Sequence, residues 1–304
     1  MKNFTNMEKM LNKKIVTHNG TFHADDLFAS AVLSILLEKK GENFEIVRTR
    51  DIDIINSADY VFDVGGIYDP EKNRFDHHQT GGAGTHADGI PYAAFGLVWK
   101  KFGEEICESK EISERLEKKI VEAIDANDNG INLYETKGEI TPFTIQDILF
   151  SFRPTWQETE DYDIPFFELL PFVKKILLRE IKRMKDVIVA EDFVEKSYDQ
   201  AVDKRLIILD GHYPWGEVMQ KYIEPLYVIS VKADLWRVEC VRKDKFSFEN
   251  RKNLPKEWAG KREDLAEITG VDDAIFCHNG LFLAVAKSKE GAIKLAELAL
   301  QNNN

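Results

Sequence analysis

Apolar positions along the chain switch between two periods, and the switches outline the fold. Residues 14–18, KIVTH, form a short apolar run ending in a polar turn, and from Ala24 to Lys40 apolar residues recur at helical spacing through Leu27, Ala31, Ile35 and Leu36. Two more apolar runs, 44–49 and 59–64, predict strands; the second, DYVFDV, breaks at Gly65 and Gly66. Strands that alternate with helices imply a parallel sheet. After a polar, glycine-rich stretch over 79–89, helices are expected over 91–102, 112–124 and 144–151. A charged amphipathic segment over 164–196 is long for a globular helix and predicts a bridge between two halves. Beyond it the pattern turns β-rich, with RLIILD, LYVISV and LWRVECV, then 274–276 and 281–286, before a last helix over 289–300. The chain thus divides into a flexible leader (1–13), an α/β domain (14–160), a connecting helical segment (161–200) and a C-terminal domain (201–304). The fold class is α/β, a parallel or mixed sheet flanked by helices, followed by a smaller α+β domain.

Composition agrees with two soluble domains. The 304 residues are 43% hydrophobic and 31% charged, enough to bury a core, and exclude a disordered, collagenous or disulfide-stapled chain. The 41 basic and 53 acidic residues give a net charge of −12, so phosphates are not attracted by the surface as a whole, and an anionic substrate must be met locally. Cys107, Cys240 and Cys277 are odd in number and lack CxxC spacing, which argues against a zinc ribbon or disulfide framework and fits a cytoplasmic location. No run is long and apolar enough for a membrane span, and the first residues lack the apolar core of a signal peptide.

Chemistry concentrates early. Five of the seven histidines, His18, His23, His77, His78 and His86, fall within the first 86 residues. HNGTFHADD supplies His18, His23, Asp25 and Asp26, and DVGGIYDPEKNRFDHH supplies Asp63, Asp69, Asp76, His77 and His78. Both groups lie where predicted strands end, and the carboxyl edge of an open α/β sheet is where distant residues converge on ligands. Imidazoles and carboxylates without a thiolate suit Mn²⁺ first and Mg²⁺ next, rather than structural zinc. Three imidazoles with three or more carboxylates exceed the needs of one ion and suit two, an arrangement used for phosphoryl chemistry. GGAGTHADGIP lacks the lysine of a P-loop, and its His86 reads as an exposed loop residue; His212, after RLIILD, reads as a turn residue.

The triplet Asp76-His77-His78 resembles the signature of the DHH phosphoesterase superfamily. HNGTFHADDLFASAVL, VFDVGGIYDPEKNRFDHHQTG and VEAIDANDNGI together are similar to the melanocyte proliferating gene (Myg) family, an exonuclease-like branch, over nearly the whole chain. The resemblance implies that His18, His23, Asp25, Asp63 and His77 ligate metal, with Asp63 bridging two ions. His23 stands where the superfamily more commonly has aspartate. It implies that His78 contacts the scissile phosphate or a leaving oxygen and that Asp76 orients its neighbours. Asp125 or Asp128 supplies the fourth-motif ligand, with Asp125 slightly favoured. The activity implied is hydrolysis of RNA or short oligonucleotides from the 3′ end, by a domain carrying two Mn²⁺ or Mg²⁺ ions and a second domain that binds substrate. Rival readings are a small-substrate phosphohydrolase acting on a cyclic dinucleotide, nucleotide or pyrophosphate, and a nucleotide- or RNA-binding module without turnover.

The second half carries a local basic excess. From Cys240 to Arg262, eight basic residues face three acidic ones, and Phe246, Phe248 and Trp258 interleave with them as in single-strand binders. Arg251 and Lys252 of this stretch are therefore expected to bind substrate, with Arg237 just before it and His278 of FCHNGLF, near a position where superfamily relatives present a Gly-His motif. Arg153 of SFRPTW is a further phosphate candidate through its planar fork. RNA or an oligonucleotide is the expected partner, with a homodimer compatible and no membrane contact.

Overall fold

The first apolar run folds as strand β1 (Lys13–Thr17) of the computed structural model, which describes residues 12–136 and 138–302. Of the leader expected over 1–13, residues 1–11 lie outside the described residues, and Lys13 already pairs with Phe44 in the sheet. The chain forms two units, Met1–Met184 and Lys185–Asn304, divided within the 38-residue helix α7 (Asp163–Gln200).

In the first unit, β1 is followed by α1 (Ala24–Lys40), β2 (Phe44–Arg48), α2 (Ile52–Ser57), β3 (Tyr60–Phe62), β4 (Tyr68–Asp69) and β5 (Arg74–Phe75). The strand order is β2-β1-β3-β5-β4, with four parallel strands and only β4 antiparallel, so the sheet is mixed. Val16, Val61 and Arg74 share one level of the ladder. His18, Asp63 and Asp76 therefore all stand two residues beyond it, at the carboxyl edge. The DHH triplet follows its own short strand, β5, rather than the third predicted one. A Pro70–Lys72 turn separates β4 from β5, and two-residue strands leave no periodicity to read.

Helix α1 is apolar around most of its circumference and buried from Ala24 to Leu37, as befits a helix covered on all sides, and it ends at Gly41 in the left-handed region (φ 68°). It packs against α3 (Ala94–Cys107), where Phe28 meets Phe95 at 5.3 Å between ring centroids. The helix expected from Pro91 begins later. Pro91 pairs with Thr85 in an isolated bridge, and the first backbone N–H groups of α3 are capped by Asp25, 70 residues away in sequence from Phe95. The helix expected over 112–124 is two segments, α4 (Lys110–Leu116) and α5 (Glu122–Asp128), joined by a wider π-turn at Glu117–Val121. Such turns are rare and concentrate at special sites. α6 (Ile145–Phe150) completes the helices before α7.

The second unit holds β6 (Leu206–Ile208), α8 (Gly216–Met219), β7 (Tyr227–Lys232), β8 (Leu235–Cys240), α9 (Leu265–Thr269), β9 (Ala274–Cys277), β10 (Leu283–Ala286) and α10 (Lys289–Gln301). Its sheet runs β6-β7-β8-β10-β9, antiparallel except for β6 against β7. α10 closes one face with Ala292, Leu295, Ala296 and Ala299. Trp258 belongs to that core, so one of the three aromatic residues expected among the basic stretch is a packing residue, while Phe246 and Phe248 are exposed.

Within this unit the expected substrate residues have local partners. Arg251 donates to the carbonyls of Met219, Ile223 and Pro225, and Lys252 to that of Leu300, so both cations tie loops together rather than stand open. Arg237 lies 3.9 Å from Glu239. The His278 Nδ1 accepts the Gly280 N–H at 2.9 Å, and its ring packs on Phe282, as in a structured turn. No helix among the described residues is long and apolar enough to cross a membrane.

Candidate metal centre

Asp63 is the hub of the carboxyl edge. It is a non-glycine residue in the left-handed region (φ 56°), a strained conformation that turns the chain out of β3 into Gly65 and Gly66. One carboxylate oxygen, Oδ2, lies 3.1 Å from His18 Nε2; the other, Oδ1, lies 3.4 Å from His77 Nε2 and 3.5 Å from His78 Nδ1. Oδ2 thus faces His18, which forms one group of candidate ligands with Asp26 and Asp63, and Oδ1 faces His77 and His78, which form another with Asp63. Next to these, Asp25, His77 and Asp128 offer ligand atoms within 4.8 Å of one another.

Backbone geometry delivers each side chain. His18 is the first residue after β1, and its Nδ1–H donates to the Asn19 carbonyl at 3.1 Å, which turns Nε2 toward Asp63 and Asp26. The loop to α1 is clamped by two arginines. Arg48, buried, donates to the Gly20 carbonyl and to Asp163, and Arg153 donates to the Phe22 carbonyl. Arg153 also lies over the Phe150 ring, 3.3 Å from its centroid. The phosphate role expected for Arg153 meets a guanidinium already engaged in holding this loop. His23 is the N-cap residue of α1, its N–H bonded to Asp26 Oδ1 at 2.8 Å and its ring 6.1 Å from that of His18. Asp76 accepts from the Gly66 N–H at 2.5 Å and from the N–H and Nδ1 of His78 at 3.1 and 2.8 Å, so it fixes both the glycine turn and the His78 ring.

Of the two acids in IDANDNG, Asp128 stands 3.4 Å from His77 Nε2. Asp125 is not among the converging side chains. Its Oδ2 lies 2.7 Å from His86 Nε2, and its Oδ1 accepts the Gly96 N–H at 3.1 Å. His86 is not an exposed loop residue but is 3% exposed, with Nδ1 also 3.0 Å from Glu117 Oε1 in the π-turn. Gly96 has to be glycine, since a Cβ there would collide with the Asp125 carboxylate. Asp26, left out of the expected ligands, shares the first turn of α1 with Asp25 and faces His18 at 3.4 Å.

Electrostatics mark the centre as poised for positive charge. Burial pushes Asp26 up to about 7 and Asp128 up to about 6, and burial followed by the charge of Asp63 pushes Asp25 well above the carboxylate range. Burial also acts on Asp63, but the facing imidazoles of His18 and His77 outweigh it and hold its carboxyl well below that range. His23 is pushed down to about 4, first by burial and then by the charge of Arg153, so its ring is neutral. Asp26 Oδ2, Asp63 Oδ1 and His77 Nε2 are buried without a hydrogen-bond partner among the described residues. Three unsatisfied lone-pair atoms in one cluster are what a divalent cation would satisfy, so the donor set fits one. The centre opens on a cavity of about 750 Å³, lined by His18, His23, Asp63, His78, Asp128 and also by Arg50 and Phe150, two residues that motif reading passes over.

A pH dependence follows from these shifts. Below about 7 Asp26 holds a proton, below about 6 Asp128 does, and both must give it up to ligate a cation. Mn²⁺ titrated calorimetrically from about pH 8 to about pH 5.5 should bind progressively more weakly, by up to about tenfold per unit for each proton released. Proton release should also make the apparent enthalpy depend on the buffer. An affinity unchanged across this range would contradict the assignment.

Residues 14–300 match the family model MYG1_exonuc, described as an uncharacterised protein family (UPF0160). Similar relatives are MYG1 exonuclease of Mus musculus, 32% identical over 94% of this chain and 84% of its own length, and MYG1 protein C27H6.8 of Caenorhabditis elegans, 32% identical over 94% of this chain and 95% of its own. Among solved structures the chain is similar to exonuclease RecJ bound to manganese at 12% identity, with a TM-score of 0.28 over 96% of this chain and 91% of that one.

Proposed function

The chain belongs to the MYG1_exonuc family, and on that footing we propose that it is a metal-dependent exonuclease that shortens RNA or short oligonucleotides from the 3′ end. The single observation that carries the reading is the division of Asp63, one oxygen toward His18 and Asp26 and the other toward His77 and His78. We assign His18, Asp26 and Asp63 to one cation, with neutral His23 beside them. Asp63, Asp25, His77 and Asp128 would hold a second. Manganese fits first and magnesium next, because the donors are imidazole nitrogens and carboxylate oxygens with no thiolate. Bound there, such a pair would polarise a phosphoryl oxygen and lower the pKa of water.

The remaining work falls to the chain itself. His78 is 62% exposed on its side chain, and Asp76 holds its Nδ1, so Nε2 is the nitrogen left to meet the scissile phosphate. Asp76 acts through His78 and the Gly66 turn. Asp125 acts from behind, through Gly96 and His86, as support for α3 and for the capping of its first N–H groups by Asp25.

The test is digestion of 5′-labelled RNA and DNA oligonucleotides of several lengths with Mn²⁺ or Mg²⁺, beside cyclic dinucleotides and pyrophosphate. A ladder shortening from the 3′ end and abolished by a chelator is the expected result. Intact oligonucleotides together with hydrolysed pyrophosphate or cyclic dinucleotide would replace the exonuclease by a small-substrate phosphohydrolase. Binding of RNA without any turnover would leave only a binding module.

A further inference from the structure

The cavity beside the metal centre is not lined by ligands alone. Arg50 follows β2, the neighbour of β1 in the sheet, and the Thr49 N–H bonds to the Thr17 carbonyl at 2.8 Å, so the chain brings Arg50 to the same edge as His18. Its side chain is exposed, and among the described residues no carboxylate lies within ion-pair distance of it, although acids line the same cavity. A planar guanidinium without a protein partner in an acid-rich cavity is suited to a phosphate.

Phe150, the last residue of α6, lines the cavity too. Its ring is held in place: the Arg153 guanidinium lies 3.3 Å from its centroid on one side, and the His23 ring meets it edge-on at 5.9 Å and 62°. An aromatic ring fixed in this way on a cavity wall has nothing to offer pyrophosphate or polyphosphate. It does have a surface for a nucleobase, and base stacking is tolerant of which base is presented. A volume of about 750 Å³ is within the range of small-ligand sites and exceeds what a bare phosphate needs.

We propose that this cavity is a nucleotide pocket, in which Phe150 stacks against the base of the terminal nucleotide and Arg50 receives its phosphate. The proposal rests on the exonuclease reading and narrows it: the substrate is a nucleotide chain, with little preference among bases, and not an inorganic phosphoanhydride. Phe150 is then the residue that sets substrate class.

Binding tests this apart from catalysis. The probes are 5′-AMP, 5′-UMP and ribose 5-phosphate, titrated into the full chain with and without Mn²⁺, for wild type, Phe150→Leu, Phe150→Trp and Arg50→Ala. Wild type should prefer both nucleotides over ribose 5-phosphate by roughly tenfold or more, the discrimination that base stacking supplies. Phe150→Leu, which keeps an apolar side chain of similar bulk, should erase the preference, and Phe150→Trp should restore it. Arg50→Ala should weaken all three probes alike. Equal affinity of wild type for AMP and ribose 5-phosphate, or a preference that survives Phe150→Leu, would overturn the base-stacking role. Unchanged affinities in Arg50→Ala would overturn the phosphate role. Turnover of labelled oligonucleotides is scored separately, so discrimination without turnover would overturn hydrolysis alone, and turnover without discrimination would overturn the pocket alone.

Discussion

Asp63→Asn should leave a folded protein that has lost at least the 10²–10³-fold in turnover that removal of one charge-stabilising group costs. Folding should survive because asparagine has the same shape and tolerates the left-handed backbone, φ 56°, that residue 63 adopts. Activity should not, because the carboxylate faces both donor sets, with Oδ2 toward His18 and Oδ1 toward His77. An amide offers a single oxygen and no charge. The check is initial rates on a labelled oligonucleotide, with circular dichroism to establish folding and Asp69→Asn, in the β4 hairpin and paired with Lys72, as the control. Retention of more than about a tenth of wild-type turnover would be out of line with a loss of this size.

His86→Ala should be a costly single change to the stability of the first unit. Both ring nitrogens are engaged, at 2.7 Å with Asp125 and 3.0 Å with Glu117, and the Asp125 side chain is fully buried. Removing the imidazole leaves that buried carboxyl without its charged partner and with only backbone N–H groups beside it, which costs about 3 kcal/mol or more. For a unit of this size the melting temperature should fall by about 6–12 °C. The sign of the pH effect is fixed as well. Burial pulls His86 down, but the hydrogen bonds that its ring donates to Asp125 and Glu117 outweigh it and raise its pKa to about 9. Its contribution is whole below the unfolded value near 6.5 and is lost as pH rises through about 9. Wild type should lose melting temperature across that window, and His86→Ala should show a flatter profile. An unchanged melting temperature in the variant would remove His86 from any structural role.

The parts of the centre that were legible in sequence are those set by strand ends. His18 and Asp63 close short apolar runs, and a parallel sheet carries such positions to one edge whatever lies between them, whereas Asp76, after the two-residue β5, was legible only through the DHH triplet. The choice between Asp125 and Asp128 was not legible. Three residues apart on a helix, they differ by only about 60° in direction, and the partner that takes Asp125 is His86, in a glycine-rich loop with no local periodicity. The capping of α3 by Asp25 is likewise a contact between distant segments, so a helix start read from Pro91 came three residues early. In the second unit a count of charges overstated what is open to a ligand. Arg251 and Lys252 look alike in sequence with Lys245, yet they donate to carbonyls of their own unit, while Lys245 lies over the exposed ring of Phe246. Counting residues cannot separate a cation that ties loops together from one that meets solvent.

Whether Asp63 joins two cation sites is read from the number of manganese ions bound per chain at saturation, by equilibrium dialysis with elemental analysis, for wild type and Asp63→Asn side by side. Two ions per wild-type chain and fewer in the variant is the result expected from a carboxylate that faces both donor sets. A single ion in wild type, or the same number in both proteins, would contradict it.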